Sequence, residues 1–253
     1  MLKTVISIIC VTLLLGGCVT EVTGAGARPV DKAKALELHI KLAQGYIDKR
    51  NRESARHHLR KAFEIDKNST EATAVQALLY QLEGEPKLAE ASFKKALKAK
   101  KNFTSAHNNY GVLLFQERRY EEALAQFELA AADLDYDGRA DALVNVGRVS
   151  LQLGHNDRAK SAFEHASILD RKSPEAFIEL ADMSFQKQDY ADAKKYLDRH
   201  MSLGQPSARS LLLGIRLERV FGNKDKEASY ALALKNRFPY SKEYLEYKQT
   251  LLK

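Results

Sequence analysis

The chain has 253 residues, a formal net charge of +7, and only two cysteines, Cys10 and Cys18. That length is ample for a packed core, and two thiols this close to the start exclude a disulfide-stapled scaffold. The basic balance points to acidic proteins or anionic lipid headgroups as contacts; neither nucleic acid nor a small-molecule substrate is expected as a partner.

Residues 1–17 read as a bacterial export signal, in which Lys3 precedes an apolar stretch from Val5 to Leu15 too short to be a permanent membrane span. The stretch ends in Leu15, Gly16, Gly17 and Cys18: a leucine three places before a cysteine, with two small residues between. This matches the lipobox of bacterial lipoproteins, so Cys18 is the expected site of lipid attachment and the first mature residue. Each buried methylene adds about 0.8 kcal/mol to membrane binding, so several acyl chains anchor a chain without a transmembrane helix. Val19 stands where lipoproteins retained at the inner membrane carry aspartate, which predicts a lipid-anchored location on the periplasmic face of the outer membrane. Residues 18–31, containing Gly24, Gly26 and Pro29, read as a flexible tether.

From residue 32 to 240 one register recurs about every 34 residues, the spacing of a tetratricopeptide repeat. Ala55, Ala89, Ala123, Ala159 and Ala193 are each expected to open a second helix, and Leu59, Phe93, Phe127, Phe163 and Leu197 follow them. Ala62, Ala96, Ala130 and Ala166 come next in the pattern, with His200 in the fifth repeat where alanine is expected. Neighbouring helices approach closely only where Ala or Gly removes side-chain volume and an adjacent large residue fills the remaining hole. The frames run 36–69, 70–103, 104–137, 140–173 and 174–207, followed by a degenerate sixth at 208–240 in which Ala228 arrives two residues late.

Breakers fall between the helices of a pair at Gly84 with Pro86, Gly154 with His155 and Asn156, Gln188 with Asp189, and Gly222 with Asn223. Ser173 before Pro174 reads as an N-cap, and Pro206 and Pro239 mark later stops. Residues 241–253 form a further amphipathic segment, with Tyr244, Tyr247, Leu251 and Leu252 placed to cover the last repeat. A solenoid needs such a cap because its terminal unit lacks the neighbour that would bury its apolar face. The expected fold is all-α: a right-handed superhelix of six helix-turn-helix repeats with a C-terminal capping helix.

Motifs for chemistry are weak. Asp133, Asp135, Asp137 and Gly138 open like a calcium loop, with Asp141 further on, but Val144 stands where a bidentate glutamate is required, so a polar turn is expected instead. His57 and His58 are adjacent and diverge on a helix, and the remaining histidines are scattered, so no metal or other cofactor is expected. Lys94, Lys95, Lys98, Lys100 and Lys101 read as a solvated helix end complementing the helix dipole. No nucleophile elbow, phosphate loop or paired catalytic acids occur, which argues against an enzyme.

Binding remains. The inward positions of the first helices are Ile40, Ile47, Ala74, Leu78, Leu82, Val112, Phe115, Val144, Leu151, Ile178 and Phe185, an apolar stripe expected to line a protein-binding groove.

The run His107 to Gly111, the stretch Arg209 to Glu218 reading RSLLLGIRLE, and the closing FPYSKEY from Phe238 to Tyr244 resemble the type IV pilus biogenesis lipoproteins called PilF or PilW. The similarity spans essentially the whole mature chain. It implies an outer-membrane pilotin without catalytic residues, whose partner is a subunit of the pilus secretin and whose lipidated residue is Cys18. Two other readings share parts of the pattern: a periplasmic adaptor recruiting cell-wall enzymes, and an enzyme with an unfamiliar site in the groove.

Overall fold

The computed structural model describes residues 31–251, so the export signal, Cys18, most of the tether and Leu252 lie outside it. The described residues form helices α1 (Lys32–Asp48), α2 (Arg52–Ile65), α3 (Thr70–Glu83), α4 (Pro86–Ala99), α5 (Thr104–Gln116), α6 (Tyr120–Ala132), α7 (Arg139–Gln152), α8 (Asn156–Leu169), α9 (Pro174–Gln186), α10 (Tyr190–Leu203), α11 (Ala208–Val220), α12 (Lys224–Arg237) and α13 (Lys242–Thr250), with no strand among them. Odd and even helices pair from α1/α2 to α11/α12, and each pair stacks on the next.

The stacking rests on one repeated contact between a small residue in the first helix and a large one in the second. Gly111 faces Phe127, Gly147 faces Phe163 and Gly214 faces Tyr230; a methyl added to Gly111 would stand 2.7 Å from the Phe127 ring, and one on Gly214 would stand 2.9 Å from Tyr230. Ala43, Ala77 and Ala181 sit at the matching places in the other first helices, and all three are fully buried. Van der Waals contact at this separation leaves no room for a β-carbon, so the glycines set the inter-helix distance.

This contact also explains the sixth repeat. Its large residue is Tyr230, whereas Ala228 is exposed, so the expected late alanine is not the tight position. The register alanines of the other second helices are likewise not openers. Ala55, Ala89, Ala123, Ala159 and Ala193 are each fourth in their helix, one turn in, and fully buried. His200, at an alanine place, is accommodated because its Nδ1 lies 2.8 Å from the Pro174 carbonyl and donates to it.

Each turn within a repeat places one residue in the left-handed region: Arg50, Gly84, Arg118, Gly154, Gln188 and Gly222. The residue after it donates its N–H back to a carbonyl near the end of the first helix, as in Asn51 to Tyr46 (2.8 Å), Glu85 to Tyr80 (2.9 Å) and Asp189 to Ser184 (2.9 Å). This Schellman-type closure satisfies carbonyls that the helix end would otherwise orphan. In the third and fifth repeats, two of the three whose left-handed residue is not glycine, an aromatic pair staples the turn: Phe115 with Tyr120 and Phe185 with Tyr190, each with ring centroids 5.4 Å apart.

Caps are uneven. Asp31, Asn51, Ser69, Ser207, Asn223 and Ser241 accept backbone N–H bonds through their side chains. Ser173 occupies the cap place before Pro174, but its hydroxyl makes no capping bond and points to Glu175 instead. Helix α13 packs Tyr244 and Tyr247 against Leu211, Leu212, Ile215, Ala231 and Leu234, closing the last repeat. Leu251, expected to join them, is 62% exposed because α13 has already ended at Thr250.

Candidate protein-binding surface

First helices of successive repeats touch one another, α1 with α3, α3 with α5, α5 with α7 and α9 with α11, whereas the second helices are in contact chiefly with first helices. Where a stacked ribbon brings its elements closer, it curves inward, so the odd-numbered helices line the concave side.

The eleven expected groove residues divide into two groups. Ala74, Val144 and Ile178 are 7%, 2% and 5% exposed: they belong to the core between repeats and offer no side chain to a partner. Ile40, Ile47, Leu78, Leu82, Val112, Phe115, Leu151 and Phe185 are half-buried. Most of these pack on the buried clusters, and Phe115 and Phe185 are engaged in the turn staples, so the exposed apolar stripe is narrower than the register suggests. Leu82 is half-buried and stands apart from those clusters.

Polar groups that pattern reading missed share the first helices. The Asn145 side-chain amide donates to Asn108 Oδ1 in the neighbouring repeat at 3.1 Å. Further along, Glu179, only 5% exposed, accepts from Arg148 at 2.8 Å and from both terminal nitrogens of Arg209 at 2.8 and 3.1 Å. Burial pushes the Glu179 carboxyl up, yet the bonds and charges of Arg209 and Arg148 outweigh it and hold it below its ordinary value. Asp182, which also accepts from Arg209, is pushed up by burial. The ladder ties α7, α9 and α11 together, and its arginines remain partly exposed. These residues are hundreds of atoms apart along the chain and three different repeats supply them, so no local motif announces them.

A second feature lies between α2 and α3. A hollow of about 550 Å³ is lined by Arg56, Leu59, Arg60, Phe63, Gln76, Leu79, Tyr80 and Glu83, with Arg56 bonded to Glu83 at 2.9 Å. In the next repeat the same space is filled from within, because Phe93 replaces Leu59 and Tyr110 replaces Gln76; their rings lie 5.7 Å apart. The Tyr110 hydroxyl donates to Glu90, whose carboxyl is held at about 2 by its bonds to Arg119 and Lys94. Two smaller residues therefore create the hollow.

Histidines do converge once, contrary to their scatter in sequence. His39 Nδ1 lies 3.0 Å from His58 Nδ1, so one ring donates and the other accepts, and Tyr46 stacks on His58 at 5.4 Å. Burial first, then the charges of His39 and His57, lowers the His58 pKa. Among the described residues no group of three or more metal-ligating side chains occurs. The aspartates at 133–138 form a turn: Asp133 accepts from Thr104 and from the N–H of Asp135. No helix among the described residues is long and apolar enough to cross a membrane.

Comparison with known proteins places this architecture. A tetratricopeptide-repeat family model matches residues 74–138 and 147–208. The type IV pilus assembly protein PilF of Pseudomonas aeruginosa is 40% identical over 235 residues, covering 92% of this chain and 93% of that protein. A solved structure of the Pseudomonas aeruginosa protein superposes with a TM-score of 0.79 at 40% identity, covering 87% of this chain and 99% of the other. PilW, described as a widely conserved type IV pilus biogenesis factor, superposes with a TM-score of 0.73 at 28% identity over the same shares.

Proposed function

Because the chain belongs to the PilF/PilW family of tetratricopeptide-repeat proteins of type IV pilus biogenesis, we propose that it acts as an outer-membrane pilotin: a lipid-anchored scaffold that holds a secretin subunit and brings it to the membrane where the ring assembles. The observation that carries this reading is the breadth of the correspondence, since 93% of the relative is matched at 40% identity and not the repeats alone. A repeat fold by itself would support any adaptor.

The mechanism is physical. Acyl chains on Cys18 commit the protein to the outer membrane, and the concave face binds the subunit, so binding free energy is converted into location. Two surfaces suit a protein segment. The half-buried apolar residues of the first helices, Leu78, Leu82, Val112 and Leu151, would take an amphipathic helix or extended strand. The hollow at Leu59 and Gln76 would take an aromatic side chain of the partner, as Phe93 and Tyr110 fill the equivalent space one repeat on. No catalytic role is included in the proposal.

The test is secretin assembly in cells whose own copy of the gene is deleted. Complementation with the wild-type chain restores secretin multimers in the outer-membrane fraction, whereas Cys18→Ala leaves subunits unassembled or in the inner membrane. Full assembly with Cys18→Ala would remove the transport step.

A further inference from the structure

Every first helix starts, and every second helix ends, on the same side of the ribbon. Residues 66–69, 100–103, 133–138, 170–173, 204–207 and 238–241 therefore form one edge. Helix α1 starts on that edge too, with Asp31 as its cap, so the chain toward Cys18 continues from there.

The three most exposed large apolar side chains among the described residues lie on this edge or in the last turn of a helix that ends on it: Tyr240 at 94%, Leu134 at 76% and, in α8, Ile168 at 70%. Leu169 and Leu129 are exposed beside them, and Leu134 and Leu169 line one shallow hollow of about 250 Å³. Among the turns within the repeats, on the opposite edge, the most exposed large apolar side chain is Phe221, at 49%; Leu251, past the end of α13, is 62% exposed. Both kinds of charge occur on the apolar edge, but they are arranged differently. Asp66, Asp133 and Asp170 accept N–H bonds from their own loops, at Asn68, Asp135 and Lys172. Lys67, Lys101, Arg171 and Lys172 are exposed, as are Asp135 and Asp137.

We propose that this edge rests on the membrane surface, with Leu134, Ile168 and Leu169 entering the interfacial layer of the lipid. The occupant follows from where the chain leads. The twelve residues between Cys18 and Asp31, thirteen steps of the chain, reach at most about 45 Å when extended, so an anchor at Cys18 keeps this edge within range of the bilayer without forcing contact. A few exposed apolar side chains bind lipid only weakly from solution, but a tether raises their effective concentration at the surface. Tyrosine and basic side chains suit the headgroup layer, as at Tyr240 and Lys172. With this edge down the helices stand upright on the membrane, and the concave face opens sideways, toward a subunit lying in or on the same leaflet. The inference rests on the lipid-anchor reading of Cys18.

The experiment separates the two. The mature chain, beginning at Cys18, is coupled through that thiol to a maleimide lipid in phosphatidylethanolamine/phosphatidylglycerol vesicles carrying a photoreactive phospholipid, and cross-linked peptides are identified by mass spectrometry. Coupling supplies the anchor whether or not the cell acylates Cys18; acylation is read independently from the mass of the protein purified from membranes. The expected result is labelling concentrated on peptides holding Leu134, Ile168 and Leu169, lost in Leu134→Glu with Ile168→Glu while helicity is unchanged. Labelling equal on the edge of Arg118 and Gln188, or absent from both, overturns the proposal. So does protection of Leu134 and Ile168 by an added secretin subunit without any lipid labelling, which would make the edge a protein interface.

Discussion

The small residues of the first helices set how close the helices come, and their substitution has a predictable sign. Gly111→Ala gains helix propensity of about 1 kcal/mol but drives a methyl into the buried Phe127 ring, and overpacking costs about 1–3 kcal/mol, so net destabilisation is expected. Thermal denaturation followed by circular dichroism measures it. At the turns the logic inverts, because nothing surrounds the β-position of Gly154 and only its backbone matters. Gly154→Ala should cost about 1 kcal/mol, and Arg118→Gly, relieving a left-handed arginine, should stabilise by a few tenths to about 1 kcal/mol in denaturant titration. Acid acts through His58, Glu90 and Glu179, among others. Each of these three has a folded pKa below its unfolded value, so each contributes stability that is complete above the unfolded pKa and lost as pH falls toward the folded one. For His58 that loss begins near pH 6.5, for Glu179 near pH 4.5. The melting temperature should decline from pH 7 to 5.5 in the wild type and more shallowly in His58→Gln.

At the scale of elements, each helix pair depends on its neighbours, and the ends depend on caps. Helix α13 covers Leu211, Leu212 and Leu234, so a chain ending before Ser241 should show faster amide exchange in α11 and α12 with little change in α1 to α4. Exchange raised uniformly would contradict stepwise coupling. The helices themselves were legible in sequence because tight packing fixes a small residue and a large one at constant spacing, and periodicity records both. Turns marked by glycine were legible for the same reason. Arg50 and Arg118 were not, since nothing in an arginine signals a left-handed backbone; the signal lies in their spacing from Gly84 and Gly154. In the sixth repeat the glycine of the first helix keeps the register and the second-helix alanine does not, because Gly214 faces Tyr230 while Ala228 is exposed.

At the scale of the molecule, fold and family were both readable, whereas the exposure of side chains on the concave face was readable only in outline. Register identifies which helix face turns inward, but not how deeply a side chain sinks: Ala74, Val144 and Ile178 share the inward register and are core. The ladder through Glu179 and the convergence of His39 with His58 depend on which repeats stack, information that no local pattern carries. What the assembled array provides is a curved, half-apolar face reinforced by an ionic ladder. The claim that this face holds a secretin subunit is tested most directly by titrating the purified, unacylated mature chain with that subunit, using Leu82→Asp combined with Leu151→Asp on the concave side. The predicted result is saturable binding by the wild type and a loss of about tenfold or more in affinity, equivalent to at least about 1.4 kcal/mol, in the double variant at unchanged helicity. Equal affinity of the two proteins would contradict the account.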